Sequence, residues 1–182
     1  EFCPDGQPPR PFVLFLGGLK PRKNVEFLLR AWRRVRVPGA RLVIAGDGPE
    51  FARLWAMAAD MPSVGFRRDF TDVVKVALYQ RASVFVFPSK LEGFGMPPLE
   101  AQASGVPVIV SQEGALPEVV RHGTTGYVLP LHEATWADAL EGLLADATLR
   151  GEMGGAAARW AQSFTWERTA RETVAAAQRL SS

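Results

Sequence analysis

Short apolar runs alternate along the chain with longer segments in which apolar residues recur every three or four positions. There are six such runs, each too short for a helix, and most are rich in β-branched or aromatic residues, so they predict β-strands. These runs are FVLFLGG (12–18), RLVIAGDG (41–48), SVGFR (63–67), SVFVFPS (83–89), VPVIVSQ (106–112) and TGYVLP (125–130).

The segments between the runs have the spacing of amphipathic helices, with apolar residues on one face. They are NVEFLLRAWRRV (24–35), PEFARLWAMAA (49–59), TDVVKVALYQRA (71–82), PPLEAQAS (97–104) and LPEVVRH (116–122). A longer helical region follows, over residues 133–180. Its helices are expected either to cover the sheet or to reach another domain. Three large apolar residues are candidates for a contact with that domain: Trp160, Phe164 and Trp166.

This regular alternation indicates right-handed crossovers and a parallel sheet covered on both faces. The predicted fold class is α/β: a Rossmann-like, doubly wound, parallel six-stranded sheet with C-terminal helices, spanning residues 12–182. Residues 1–11 are rich in proline and glycine and are expected to form a linker or leader. Ligands of such sheets bind at the carboxyl ends of the strands, so the loops there are the candidate site.

Composition and charge argue against several classes of function and site. The 21 basic and 19 acidic residues give a net charge of +2, which does not support nucleic-acid binding. The single cysteine, Cys3, has no partner for an internal disulfide. No apolar run approaches the roughly 20 residues of a transmembrane helix, and the first residues do not resemble a signal peptide. No CxxC, HExxH or clustered carboxylates occur, so no metal is expected.

The loop GGLKPRKN, after the first predicted strand, has the features of a phosphate site. Gly17 and Gly18 allow a close approach of the backbone, and Asn24 is a good residue to begin a helix, whose free N–H groups favour an anion. Three cations crowd this helix start, which is unfavourable without a bound anion: Lys20, Arg22 and Lys23. The alternative is a solvated basic turn.

The stretch SKLEGFGMPPLEAQASGVPVIV (89–110) is the most informative loop. Its adjacent prolines predict that a helix begins at Pro98, with Glu92 in the loop and Glu100 in the first helical turn. The amides around Gly95 can receive an anion. Because carboxylates repel phosphate, we expect Glu92 and Glu100 to accept hydrogen bonds from hydroxyls on either side of the phosphates, as in a nucleotide sugar. Alternatively, Glu92 is an exposed loop charge and Glu100 is favoured by the helix dipole alone.

The other candidate motifs are weaker. The turn GDGPE lacks the third glycine of a dinucleotide fingerprint, which would fall at Phe51, and this argues against NAD. His122 and His132 are not part of a triad-like arrangement, so both are expected to be structural.

In these motifs the chain resembles the C-terminal, donor-binding half of the retaining GT-B glycosyltransferases of family four, also called group 1. The matching pieces cover nearly the whole chain in the same order. They are FLGGLKPRKN, LVIAGDGPE, LYQRASVFVFPSKLEGFGMPPLEAQASGVPVIVSQEGALPEVV, GTTGYVLP and FTW.

The resemblance implies a role for each matched position. Glu92 corresponds to the ligand of the donor-sugar hydroxyls, and Glu100 to the ligand of the ribose hydroxyls. The implied catalytic group, which neutralises the diphosphate and contacts the sugar, is Lys23, Arg22 and Glu92. The implied substrate-binding residues are Gly17, Gly18, Val64, Phe66, Arg67, Phe94, Gly95, Met96, Leu99 and Glu100.

The resemblance also implies the reaction and the partners. The substrate would be a nucleoside diphosphate sugar, with no cofactor and no metal, and the N-terminal domain that binds the acceptor would be missing from this chain. The expected location is cytoplasmic, with peripheral association at the inner face of the membrane open for the full-length enzyme. One departure is Gly18, where many members of the family carry arginine. The alternatives are a non-catalytic nucleotide-binding module and a related epimerase or phosphorylase domain.

Overall fold

The computed structural model describes residues 11–180, except the side chains of residues 166, 173, 176 and 180. The predicted linker therefore lies, apart from residue 11, outside the described residues. The predicted six-stranded parallel sheet is confirmed. Its strands are β1 (Phe12–Leu16), β2 (Arg41–Ala45), β3 (Val64–Arg67), β4 (Val84–Phe87), β5 (Val108–Ser111) and β6 (Gly126–Leu129).

The strands follow the order β3-β2-β1-β4-β5-β6, and each adjacent pair is parallel. The order reverses between β1 and β4, so the doubly wound prediction is correct. All four residues of β4 and all four of β5 are buried, which is typical of parallel strands covered on both faces.

Helices cover both faces of the sheet. They are α1 (Val25–Trp32), α2 (Phe51–Met57), α3 (Asp72–Arg81), α4 (Met96–Ala103), α5 (Leu116–Val119), α6 (Glu133–Ala145), α7 (Ala147–Ala161) and α8 (Trp166–Leu180). Helix α1 packs beside α2 and α6, whereas α4 packs beside α3 and α7. In the first group, the ring of Phe27 meets that of Trp136 edge-on, with centroids 5.3 Å apart. The C-terminal helices α6 and α7 therefore pack onto the domain on opposite sides.

At two glycines, close contacts between backbone segments fix how neighbouring loops and helices pack. A Cβ atom at Gly46, where φ is +147°, would lie 1.9 Å from the carbonyl oxygen of Gly17, so the loops after β1 and β2 contact each other directly. A Cβ atom at Gly154 in α7 would lie 2.2 Å from the carbonyl oxygen of Gly105, just past the end of α4. Neither position has room for a side chain without movement of the backbone.

None of the helices within residues 11–180 is both long enough and apolar enough to cross a membrane.

Candidate functional site

The loops after β1 and β4 lie side by side at the point where the strand order reverses. The amide of Lys90 donates to the carbonyl of Arg22 at 2.8 Å, and the hydroxyl of Ser89 lies 3.1 Å from the same oxygen. In a doubly wound sheet, the crevice outside the carboxyl ends of the strands opens at this place. The two loops singled out in the sequence therefore form one site.

A buried ion pair lies at the centre of this crevice. The ammonium of Lys23 contacts Oε1 of Glu92, and both side chains are about nine-tenths buried, with 10% and 9% of their surface exposed. The same ammonium lies 4.5 Å from the centre of the Phe87 ring. Nη1 of Arg22 donates to Leu91 O at 3.2 Å and approaches Oε1 of Glu92 at 3.4 Å.

The local backbone explains why Lys23 points inward. Pro21–Lys23 form a single turn of 3-10 helix, and Asn24 then adopts a left-handed conformation with φ at 56°. Asn24 begins α1 as predicted, but its side chain makes no capping hydrogen bond. The turn places Lys23 in the interior and leaves Arg22 partly exposed, with 47% of its side chain accessible. Two cations therefore share one carboxylate.

Two buried serines, which were not predicted from the sequence, support Glu92. The hydroxyl of Ser89 donates to Oε1 of Glu92 at 2.8 Å, and the hydroxyl of Ser111 donates to the carbonyl of Ser89. Both serines are fully buried. The amide of Ala115 donates to the Glu92 carbonyl at 3.0 Å, so backbone and side chain are both held. The available signal was a serine two residues after the apolar strand β4 and another at the last position of β5.

The helix after this loop begins two residues earlier than predicted, at Met96 instead of Pro98. Gly95 adopts φ of +93° and turns the chain, so Met96 enters the helix despite the following proline. Pro97 fits the first turn of the helix, because N–H groups in that turn have no carbonyl partner within the helix and the N–H that proline lacks is not needed there. Glu100 is therefore the fifth residue of α4 and lies in the second turn.

Helix α3 supplies the contacts of Glu100. Lys75 Nζ lies 2.7 Å from Oε1 of Glu100, and the hydroxyl of Tyr79 donates to Oε2 at 2.8 Å. Burial raises the pKa of the Tyr79 hydroxyl, and the charge of the Glu100 carboxylate raises it further. Lys75 and Tyr79 were not identified from the sequence. Glu100 keeps 33% of its side chain exposed, so it can also accept hydrogen bonds from a ligand.

The residues of β3 do not all lie at the site. Arg67 pairs with Ala45 at the carboxyl end of the strand, and its carbonyl accepts from the Gly46 amide at 2.8 Å. Val64 begins the strand and pairs with Leu42, about 10 Å from Arg67 at roughly 3.3 Å per residue. Val64 is therefore at the opposite end of the strand from the candidate site.

Phe66 belongs to an aromatic cluster beside the edge strand. Its ring lies 5.7 Å from that of Phe51 and 5.4 Å from that of Trp55. The guanidinium of Arg68 lies 4.3 Å from the Phe51 ring and bonds to Asp47 at 2.7 Å. The hydrogen bond from Arg68, followed by that from the Gly48 amide, lowers the pKa of Asp47.

The turn around Gly95 contacts the C-terminal part of the chain. The ring of Phe94, 45% exposed, meets Phe164 edge-on with centroids 6.2 Å apart, and Phe164 meets Trp160 at 5.1 Å. Trp160 Nε1 donates to the Val119 carbonyl at 3.0 Å. Of the two alternatives expected for this region, Phe164 and Trp160 thus follow the first and pack on this domain. The side chain of Trp166 lies outside the described residues. Leu99 is buried, whereas Met96 is half exposed.

The loop after β1 is open at Gly18. The amide of Gly17 donates to Ala45 O at 3.0 Å, which fixes the start of the loop. A Cβ atom at Gly18 would approach no atom more closely than 3.9 Å, so nothing at this position requires glycine. Cε of Lys20 would lie 4.0 Å from that atom.

Both histidines have structural contacts. His122 Nδ1 accepts from the Val128 amide at 3.1 Å, and His132 caps the start of α6. Within residues 11–180, no group of three or more His, Cys, Asp or Glu side chains is arranged to hold a metal ion.

The family model described as "Glycosyl transferases group 1" matches residues 5–160. A D-inositol 3-phosphate glycosyltransferase of Mycobacterium avium is 38% identical over 178 residues, covering 92% of this chain and 41% of the relative. The enzyme of that name from Mycobacterium tuberculosis is 37% identical over 181 residues, covering 92% of this chain and 37% of the relative. The chain thus spans about two fifths of the length of these relatives.

Solved structures agree with this match. Sucrose-phosphate synthase from Thermosynechococcus elongatus superposes with a TM-score of 0.80 at 28% identity, over 94% of this chain and 45% of the other. The C-terminal domain of the group 1 glycosyl transferase LpcC from Francisella tularensis gives 0.77 at 24% identity, with 86% of each chain covered. The chain belongs to the group 1 glycosyl transferases, and its sheet is the Rossmann-like kind found in GT-B enzymes.

Proposed function

We propose that this chain is the donor-binding half of a glycosyltransferase that moves a sugar from a nucleoside diphosphate sugar to an acceptor hydroxyl, with retention of the anomeric configuration. The observation that carries the proposal is the buried pair of Lys23 and Glu92, with Arg22 beside it, at the reversal point of the sheet. One ligand at this place meets both cations for phosphate and a carboxylate for sugar hydroxyls.

The charges of the crevice suit a diphosphate. Lys23 and Arg22 carry two positive charges, against one negative charge on Glu92. The start of α4 adds the backbone amides of Gly95 and Met96. Amides at a helix start favour an anion. As the bond to the sugar breaks, negative charge grows on the leaving diphosphate. Fixed cations and amides stabilise that charge without reorganisation, which lowers the barrier.

Glu92 is assigned to the sugar and not to covalent catalysis. Among the described residues, Lys23, Arg22 and Ser89 all approach its Oε1, which leaves Oε2 to accept from sugar hydroxyls. A carboxylate whose charge is already stabilised by these donors is a weak nucleophile. Retention then follows from displacement on one face of the sugar: the acceptor oxygen bonds to the anomeric carbon on the side where the bond to the diphosphate breaks, and an oxygen of the departing phosphate takes the acceptor's proton.

The acceptor is a hydroxyl that another part of the enzyme would bind. The curated relatives are named for D-inositol 3-phosphate, so a hydroxyl of a phosphorylated polyol is the first acceptor to test. A binding panel of UDP-, GDP- and ADP-sugars would identify the base and the sugar of the donor.

Product analysis tests the proposal. The full-length enzyme is incubated with each nucleotide sugar and the polyol phosphate, and the anomeric configuration of the product is read by NMR. We expect transfer with retention, and nucleotide binding with negligible transfer by the 182-residue chain alone. Inversion, robust transfer by this chain alone, or an epimerised or phosphorolysed product would contradict the proposal. Binding without any turnover in the full-length protein would favour a non-catalytic module.

A further inference from the structure

Both oxygens of the Glu100 carboxylate are held by α3. Lys75 Nζ contacts Oε1 at 2.7 Å, and the Tyr79 hydroxyl donates to Oε2 at 2.8 Å. Lys75 and Tyr79 are four residues apart, so they lie on one face of the helix, opposite α4. The two contacts fix the plane of the carboxylate.

The two donors differ in their surroundings. Tyr79 is 2% exposed and its ring packs on Phe85, with centroids 5.6 Å apart, so its hydroxyl has a fixed position. Lys75 keeps 29% of its side chain exposed and is held at its end by the carboxylate. A neutral, buried hydroxyl is therefore the rigid contact, and the ammonium supplies the balancing charge.

The held carboxylate remains able to bind a ligand. A carboxylate oxygen can accept two hydrogen bonds, so each oxygen of Glu100 keeps one position after its contact with α3. Met96 and Glu100 are also four residues apart, which places Glu100 one turn along α4 from the amides at its start. A ligand whose phosphate lies at those amides can extend along this face to Glu100.

We propose that Tyr79, with Lys75, positions the Glu100 carboxylate to receive the two neighbouring hydroxyls of a ribose, and thereby sets the preference for ribonucleotides over 2′-deoxyribonucleotides. This inference rests on the proposed function of the site. Two oxygens in a fixed plane match two adjacent hydroxyls, whereas a freely rotating carboxylate would bind one hydroxyl nearly as well as two.

Calorimetric titration with UDP, GDP, ADP and their 2′-deoxy counterparts tests the inference. For the diphosphate that binds most tightly, we expect the wild-type chain to prefer the ribo form by about tenfold or more, as for one charged hydrogen bond. Tyr79→Phe is expected to reduce that preference by at least about threefold. Lys75→Met, which removes the more exposed donor, is expected to have the same effect. It provides the test if Tyr79→Phe does not fold. The matched control is Tyr127→Phe, which alters the second of the two tyrosines, on β6.

The outcomes of these titrations either support or contradict the inference. Equal weakening of ribo and deoxy forms, or no change in either, would reduce Tyr79 and Lys75 to structural roles and leave the proposed function standing. A change of the same size in Tyr127→Phe would also contradict the inference. Failure of every diphosphate to bind the wild-type chain would contradict the proposed function as well.

Discussion

Lys23 and Glu92 are 69 residues apart in the chain, yet their side chains form a buried ion pair between the loops that follow β1 and β4. Removing either partner leaves the other charge buried and incompletely compensated, which destabilises a protein by about 3–5 kcal/mol. Because Arg22 and Ser89 still contact Glu92 when Lys23 is removed, we expect a loss at the lower end, about 3 kcal/mol, for Lys23→Ala. Glu92→Ala takes the carboxylate away from both cations, so we expect a larger loss within that range.

A double-mutant cycle by urea unfolding measures this coupling. The double variant is expected to lose less than the sum of the two single variants, because it leaves neither charge alone. Strictly additive losses would mean that the pair has no energetic coupling.

Glu100→Ala is expected to weaken the binding of a nucleoside diphosphate by about 10- to 150-fold, or about 1.5–3 kcal/mol, if the carboxylate accepts from ribose hydroxyls. Isothermal titration calorimetry measures the change. Glu152→Ala, which removes an exposed carboxylate from α7, is the control and should bind like the wild type. Unchanged affinity in Glu100→Ala would remove Glu100 from the site.

Two helical glycines are expected to respond to alanine in opposite directions. Gly154→Ala would place a Cβ atom 2.2 Å from the Gly105 carbonyl, so α7 must move away from α4, at a cost of about 1–3 kcal/mol. Gly142→Ala, in α6, meets no atom within 4 Å and should stabilise the protein by about 0.5–1 kcal/mol. Thermal unfolding of both variants checks the signs, and equal shifts would contradict the described packing of α7.

The Tyr79 hydroxyl makes stability dependent on pH at the alkaline end. Its folded-state pKa is raised by burial and by Glu100, above the ordinary value of 10.0 expected in the unfolded chain. The unfolded state therefore loses this proton first, and the stabilising contribution of Tyr79 falls as pH rises above about 10. Urea unfolding between pH 8 and pH 11 should show a steeper decline for the wild type than for Tyr79→Phe. Parallel curves would show that the hydroxyl titrates alike in both states.

The fold was predictable because each element satisfies its local preference as well as the tertiary structure. Strand runs such as VFVF are apolar throughout, as a doubly covered parallel strand requires, and glycines at 46 and 48 mark a tight turn. The helix start at Met96 was missed because the residue before proline usually avoids helical geometry. At this position the left-handed turn at Gly95 takes up the change of direction instead.

The site was predictable only in part. Lys23, Arg22 and Glu92 were identified by their position after strands, and the structure brings them together. Tyr79 and Lys75 come from a helix that precedes β4, and no local pattern indicates that they contact Glu100. Val64 and Arg67 belong to one short run in the sequence, but the rise of roughly 3.3 Å per residue places them at opposite ends of β3.

The most direct test of the donor-site account is calorimetric titration of the wild-type chain, Lys23→Ala and Arg34→Ala with UDP, GDP, ADP and the corresponding nucleosides. Arg34, exposed just beyond the end of α1, provides a matched loss of positive charge away from the crevice. We predict that one diphosphate binds the wild type, that Lys23→Ala weakens this diphosphate by at least about tenfold and its nucleoside far less, and that Arg34→Ala changes neither. Equal losses for diphosphate and nucleoside in Lys23→Ala, or no binding of any diphosphate to the wild type, would contradict the account.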